Sequence, residues 1–287
     1  MIPAMHITAW SKFAPWGEQR QIEQDLIISR AIIDIFSNPM LASELRFRGG
    51  TALNKLHFPR PLRYSEDIDL VRTTEGPIGP ILSEIRKVLE PWLGKPAFDK
   101  SPVAPKFNFT VEAEDGSRLR LKLEINTRER EVYDALHEMS YSVDNPWFAG
   151  TVNVPTFTNE EMLATKLRAL LQRDKGRDRF DISHALSVFE NLDTNRTVEM
   201  FGRYLEKSDM QITRAQAEQR MFAKLANPHF LSDMRPLVTA EQAENINEDT
   251  IRNAFEAVFV ELVQRIPGNE WAKTPEMVEK FGFNKGT

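Results

Sequence analysis

The feature that most constrains this chain is a pair of glycines followed, at close spacing, by two aspartates. The stretch runs Arg46-Phe-Arg-Gly-Gly-Thr-Ala-Leu-Asn-Lys-Leu56 and resumes at Arg63-Tyr-Ser-Glu-Asp-Ile-Asp-Leu-Val71. It reads as a strand over Arg46 to Arg48, a Gly-Gly turn, a short helix, a loop stiffened by Pro59 and Pro61, and a second strand. Residues two apart on a strand share a face, so Asp67 and Asp69 project together while Ile68 and Leu70 enter the core. Two hard anionic ligands side by side suit Mg²⁺ or Mn²⁺, ions that take carboxylates together with substrate phosphate oxygens. Gly49 and Gly50 let the backbone approach a ligand closely. The helix predicted to begin at Thr51 offers N–H groups and a positive dipole end to phosphate. One segment thus combines a phosphate cradle with a metal holder, which predicts a nucleotide-handling site.

Further along, two alternating segments predict a hairpin. Phe107, Phe109 and Val111 share one face of the first; Leu119, Leu121, Leu123 and Ile125 share one face of the second, with an Asp115-Gly116 turn between them. The polar face of the second strand carries Arg118, Arg120, Lys122, Glu124 and Asn126. A third carboxylate arriving there, Glu124, would complete a metal site that two aspartates leave open. Trp147 to Pro155 reads as a last strand.

Around these strands the pattern is helical. Glu18 to Asn38 places Ile22, Leu26, Ile27, Ile33 and Phe36 at helical spacing until Asn38-Pro39 breaks the run. Ile78 to Trp92 is amphipathic and ends before Gly94. Thr158-Asn-Glu-Glu161 reads as a capping box opening a helix near Asn159. Helices are expected over 180–190, 194–206, 213–225 and 247–264. A domain boundary is therefore placed at 157/158, with an α/β domain over 1–157 and a helical domain over 158–287. The stretch Lys166 to Arg179 gathers Lys166, Arg168, Arg173, Lys175, Arg177 and Arg179 beside Asp178 and Asp181. That basic loop, at Arg173, Lys175 and Arg177, is the candidate contact for an RNA backbone, or else a solvated helix junction.

Composition narrows the alternatives. Of 287 residues, 41% are hydrophobic and 28% charged, ordinary for a soluble globular protein. No apolar run approaches the ~20 residues a membrane span needs. Met-Ile-Pro-Ala-Met-His lacks the basic-then-apolar order of a signal peptide, so none is expected. The absence of cysteine excludes disulfides and thiolate-bound zinc and agrees with a cytoplasmic setting. A net charge of −5 means that nucleic-acid binding must rest on a local patch.

Gly-Gly-Thr followed by Asp-Ile-Asp resembles the signature of the polymerase-β-type nucleotidyltransferases. The fuller string, Arg63-x-Ser65-x-Asp67-x-Asp69, is similar to the AbiEii/AbiGii nucleotidyltransferase toxins of abortive-infection and toxin–antitoxin systems. The resemblance covers roughly 46–185; Thr51 stands where the general signature has serine, and both carry a hydroxyl. It implies an α+β fold, with a mixed sheet and helices followed by a helical C-terminal domain and an active cleft between them. It implies catalysis through Asp67, Asp69 and Glu124 as metal ligands. It also implies Gly49, Gly50, Thr51, Arg63 and Ser65 at the nucleotide, with Lys166 and Asp181 (or its neighbour Asp178) as the supporting lysine and aspartate. The function implied is metal-dependent transfer of a nucleoside monophosphate from a nucleoside triphosphate to an RNA acceptor, such as a tRNA 3′ end. The protein would then be a phage-defence toxin partnered by an antitoxin. Two alternatives share parts of this pattern: a small-molecule nucleotidyltransferase of the antibiotic-modifying kind, and a non-catalytic nucleotide-binding partner protein.

Overall fold

The structure, a computed structural model, describes residues 2–283. It forms two compact units, Met1–Thr158 and Asn159–Thr287.

The first unit opens with α1 (Ala4–Trp10) lying against α2 (Gln19–Phe36). Leu26, Ile28, Ile32 and Ile35 of α2 are buried. Asn38-Pro39, read as a break, is the start of another helix, α3 (Pro39–Glu44). The Asn38 side chain accepts from the amides of Met40 (3.0 Å) and Leu41 (3.2 Å), and Pro39 takes the first helical position, where a missing N–H costs nothing.

Five strands follow: β1 (Leu45–Arg48), β2 (Asp67–Arg72), β3 (Ala97–Asp99), β4 (Lys106–Glu112) and β5 (Arg118–Asn126). Between β1 and β2 the chain passes through α4 (Gly49–Ala52), which continues as a π-helical turn over Leu53–His57; between β2 and β3 lies α5 (Gly79–Leu93). The sheet order is β1-β2-β5-β4-β3. β2 and β5 run parallel and the other pairs antiparallel, which makes the sheet mixed. One face packs Ile68, Leu70, Phe107, Phe109, Leu121, Leu123 and Ile125 into the core under α2 and α5. The opposite face of β4 and β5 exposes Asn108, Thr110, Arg118 and Arg120. The expected turn between them is present, with Gly116 at φ +78° and Asp115 Oδ1 accepting from Ser117 N at 2.8 Å.

β6 (His137–Asn145) and β7 (Phe148–Thr156) form a separate hairpin closed by Pro146-Trp147. Only β7 was predicted. The inward set of β6 is Tyr141, Val143 and Asn145, with a single aliphatic member, so its alternation is weak in sequence. β3 has three residues, too few to show a period.

The second unit is helical throughout the described residues. It comprises α6 (Asn159–Gln172), α7 (Gly176–Val188), α8 (Thr194–Glu206), α9 (Arg214–Leu225), α10 (Pro228–Ser232), α11 (Ala240–Asn245), α12 (Glu248–Glu261) and α13 (Thr274–Phe281). α7 begins four residues before the predicted Phe180. The Asp233 carboxylate accepts from Gly176 N at 2.8 Å, and a Cβ there would stand 2.3 Å from the Phe230 carbonyl, so only glycine fits this helix start. α12 is shorter than expected and is succeeded by a 3₁₀ turn at Val263–Arg265. Phe222 anchors this core, 5.1 Å from Phe259 and stacked at 6.1 Å on Phe281.

Candidate active site

The register of the sheet brings the first-unit acids together. Asp69 of β2 sits opposite Arg48 of β1 and beside Glu124 of β5, and Asp67 sits beside Lys122. Asp67, Asp69, Lys122 and Glu124 therefore share one face. Asp69 is wedged against the turn that precedes α4. A Cβ on Gly49 would meet Asp69 Oδ2 at 2.4 Å, and Gly49 has φ +86°, so both the space and the backbone demand glycine. A Cβ on Gly50 would likewise meet Arg63 Nη2 at 2.3 Å.

The helix is entered at Gly49 rather than at the predicted Thr51. Thr51 is buried, its hydroxyl bonded to Ser65 Oγ (2.8 Å) and to the backbone carbonyl of Asp67. Asn54 Nδ2 donates to Gly50 O at 2.8 Å while its Oδ1 accepts from Leu62 N and Arg63 N at 2.9 and 3.1 Å. Together these bonds staple the Pro-containing loop to the helix and fix where β2 begins.

The cation nearest the acids is Lys122. Its ammonium lies 3.3 Å from Asp67 Oδ2 and 3.2 Å from Glu124 Oε2, while Lys106 Nζ lies 3.5 Å from the same Glu124 oxygen. Burial, reinforced by Asp67, pushes the Asp69 carboxyl above the usual aspartate range despite Lys122 and Arg48. Burial disfavours the Lys122 charge, but Asp67, Glu124 and Asp69 outweigh it and hold that ammonium above lysine's ordinary value. Among the described residues no group of three or more His, Asp and Glu side chains is disposed to hold a metal. The donor set nevertheless suits a hard cation: three carboxylates on adjacent strands, two of which already share one positive charge.

In the second unit, Lys166 of α6 is buried and bonded to both aspartates of α7, with Nζ 2.7 Å from Asp181 Oδ2 and 3.3 Å from Asp178 Oδ1. Arg173 donates to Asp178 through Nε (2.7 Å) and Nη2 (2.8 Å). Against its burial, Lys166 and Arg173 bring the Asp178 carboxyl below its usual range. The six cations of this stretch therefore differ in kind. Arg179 is buried 5.3 Å from the Phe255 ring and pushed down to about 10 by burial; Arg173 is half exposed but committed to Asp178; Lys175 is exposed.

The family model for the AbiEii nucleotidyl transferase toxin of type IV toxin–antitoxin systems matches residues 30–261. The chain belongs to the AbiEii toxin family. It is thus a nucleotidyltransferase of the type IV toxin–antitoxin kind, which removes the non-catalytic alternative and implies an antitoxin partner. One solved structure shares this fold. MenT4, a nucleotidyltransferase toxin from Mycobacterium tuberculosis, superposes with a TM-score of 0.60 at 14% identity over 98% of this chain and 99% of its own. JHP933 from Helicobacter pylori aligns over 93% and 95% of the two chains at 15% identity, with a TM-score of 0.45. A comparison with curated protein sequences finds no match. Among the described residues no helix is long and apolar enough to cross a membrane.

Two features of this AbiEii chain escaped the sequence reading. Lys122 was visible only as one of several polar residues on its strand. The buried ion pair between Lys55 and Asp25, with Trp10 Nε1 (2.8 Å) and Trp16 Nε1 (3.2 Å) also donating to Asp25, joins residues far apart in sequence and has no spacing signature.

Proposed function

We propose that this toxin transfers a nucleoside monophosphate from a nucleoside triphosphate to a hydroxyl of an RNA acceptor, with the 3′ end of tRNA as the leading candidate. The acceptor oxygen forms a bond to the α-phosphorus, the bond from that phosphorus to the bridging oxygen breaks, and pyrophosphate leaves. The observation that carries this reading is the side-by-side setting of Asp67, Asp69 and Glu124 on β2 and β5, with the Gly49–Thr51 turn packed against Asp69. Asp67, Asp69 and Glu124 would hold Mg²⁺ or Mn²⁺, which when bound neutralises phosphate charge and lowers the pKa of the attacking hydroxyl.

The chain's own residues do the rest. The backbone at Gly49, Gly50 and Thr51 cradles the β- and γ-phosphates at a helix entry. Arg63 and Ser65 brace that turn, as their packing on Gly50 and Thr51 supports. Glu124 orients the acceptor hydroxyl or takes its proton. Lys166, held by Asp181 and Asp178, is assigned to triphosphate charge, and Asp181 to positioning that ammonium. Arg173, Lys175 and Arg177 are assigned to the RNA backbone. In a cytoplasm without the antitoxin, such modification of RNA would arrest growth and with it phage production.

Incubation with each labelled triphosphate and total RNA tests the reading. Label is expected to enter RNA only with divalent metal, and to vanish in Asp67→Asn and Asp69→Asn, while neither variant loses thermal stability. Label that enters an aminoglycoside and never RNA would move the chain to the antibiotic-modifying alternative.

A further inference from the structure

Lys122 is placed unlike an ordinary surface lysine. Its partner by register is Asp67, and Glu124 follows two residues along the same strand, so all three side chains leave the same face of the sheet. Its ammonium touches both acids, at 3.3 and 3.2 Å, and the side chain is only about one-third exposed. The ammonium therefore lies between Asp67 of β2 and Glu124 of β5. A divalent ion held by Asp67 and Glu124 together would have to displace it. Carboxylates on neighbouring strands repel when nothing cationic lies between them, and Lys is suited to that duty because its charge is a compact point on a flexible stem that can swing aside.

We propose that Lys122 is the built-in counter-ion of the acidic site: it holds Asp67 and Glu124 in the metal-free protein and competes directly with the divalent cation for them. This rests on the metal-dependent reading above. The lysine thereby sets how much free metal the site needs, and removing it strengthens metal binding, the reverse of what loss of a catalytic or ligand-supporting residue does.

The test is Mn²⁺ binding to the purified full chain, without nucleotide, at one fixed pH, followed by electron paramagnetic resonance. Lys122→Met is expected to bind Mn²⁺ about tenfold more tightly than the wild type, the scale of losing two partly exposed ion pairs. Lys122→Arg, which keeps a cation in place, should stay near the wild-type affinity. Without metal, Lys122→Met should melt below the wild type, and Mn²⁺ should raise its melting temperature more than that of the wild type. Lys122→Gln, with a polar head of similar length, gives the same reading if the methionine variant folds poorly. Equal or weaker Mn²⁺ binding by the neutral variants overturns the proposal while leaving the metal site standing. If neither wild type nor neutral variants bind Mn²⁺, or if adding Asp69→Asn to Lys122→Met leaves its binding unchanged, the metal-dependent reading falls and the proposal with it.

Discussion

At Asp69 a carboxylate is pressed against a glycine, and each residue constrains the other. Gly49→Ala must place a Cβ 2.4 Å from Asp69 Oδ2 and hold φ near +86°, so the carboxylate has to move. We expect a loss of about 1–3 kcal/mol in urea unfolding, as for a non-glycine residue forced into this backbone region, together with loss of transfer activity. Glu124 faces a sharper choice. If it orients or deprotonates the acceptor, Glu124→Gln should abolish transfer almost as fully as changing either aspartate, with little effect on folding. If it only pairs with Lys122 and Lys106, transfer persists and the stability change stays within about 0–1 kcal/mol. The acids were legible before the structure because a spacing of two and an alternating strand dictate shared faces. Lys122 was not, since alternation shows which residues share a face but not which ammonium turns between two carboxylates.

At the scale of elements, two junctions carry testable charge. The first ties α2 to the π-helical turn through Asp25 and Lys55. Burial opposes the Lys55 charge, but Asp25 prevails and keeps it above its ordinary value. Asp25→Ala would strand that ammonium and two indole N–H groups, and we expect about 3–5 kcal/mol lost in chemical unfolding. The second joins α6 to α7. The folded state holds the Asp178 carboxyl below its unfolded value, so its contribution to stability is complete above the ordinary aspartate range near pH ~3.9 and is lost as pH falls through the depressed folded value. Arg173→Ala weakens that depression, so acid unfolding followed by circular dichroism should begin at a higher pH than in the wild type. The strands flanking the site were readable from their branched and aromatic alternation. β6 was not, because its inward positions are filled by Tyr141 and Asn145 as well as Val143, and hydrogen-bonding side chains blur a hydrophobic period.

For the whole molecule, a net charge of −5 makes RNA binding depend on where the cations stand. Replacing Arg173, Lys175 and Arg177 together by alanine should lower RNA affinity and flatten its salt dependence, with nucleotide binding preserved. Each lost phosphate contact removes about one unit of slope. Arg173 already answers to Asp178, so the expected change is closer to about two units than three, read from binding isotherms across a salt series. An unchanged slope would return this loop to the solvated junction that its sequence also allowed. The hydroxyl of Thr156 has a consequence of another kind. It donates to the carbonyl of Phe47 at 2.8 Å, while His57 Nε2 lies 3.2 Å from it, so part of the outer rim of β1 is already bonded within its own chain. At the far rim, β3 runs for only three residues. An uncapped rim is a template on which another copy can add its strand and begin aggregation. At Phe47 the β1 rim of this sheet is closed to such addition, which disfavours edge-to-edge pairing of a second toxin chain there.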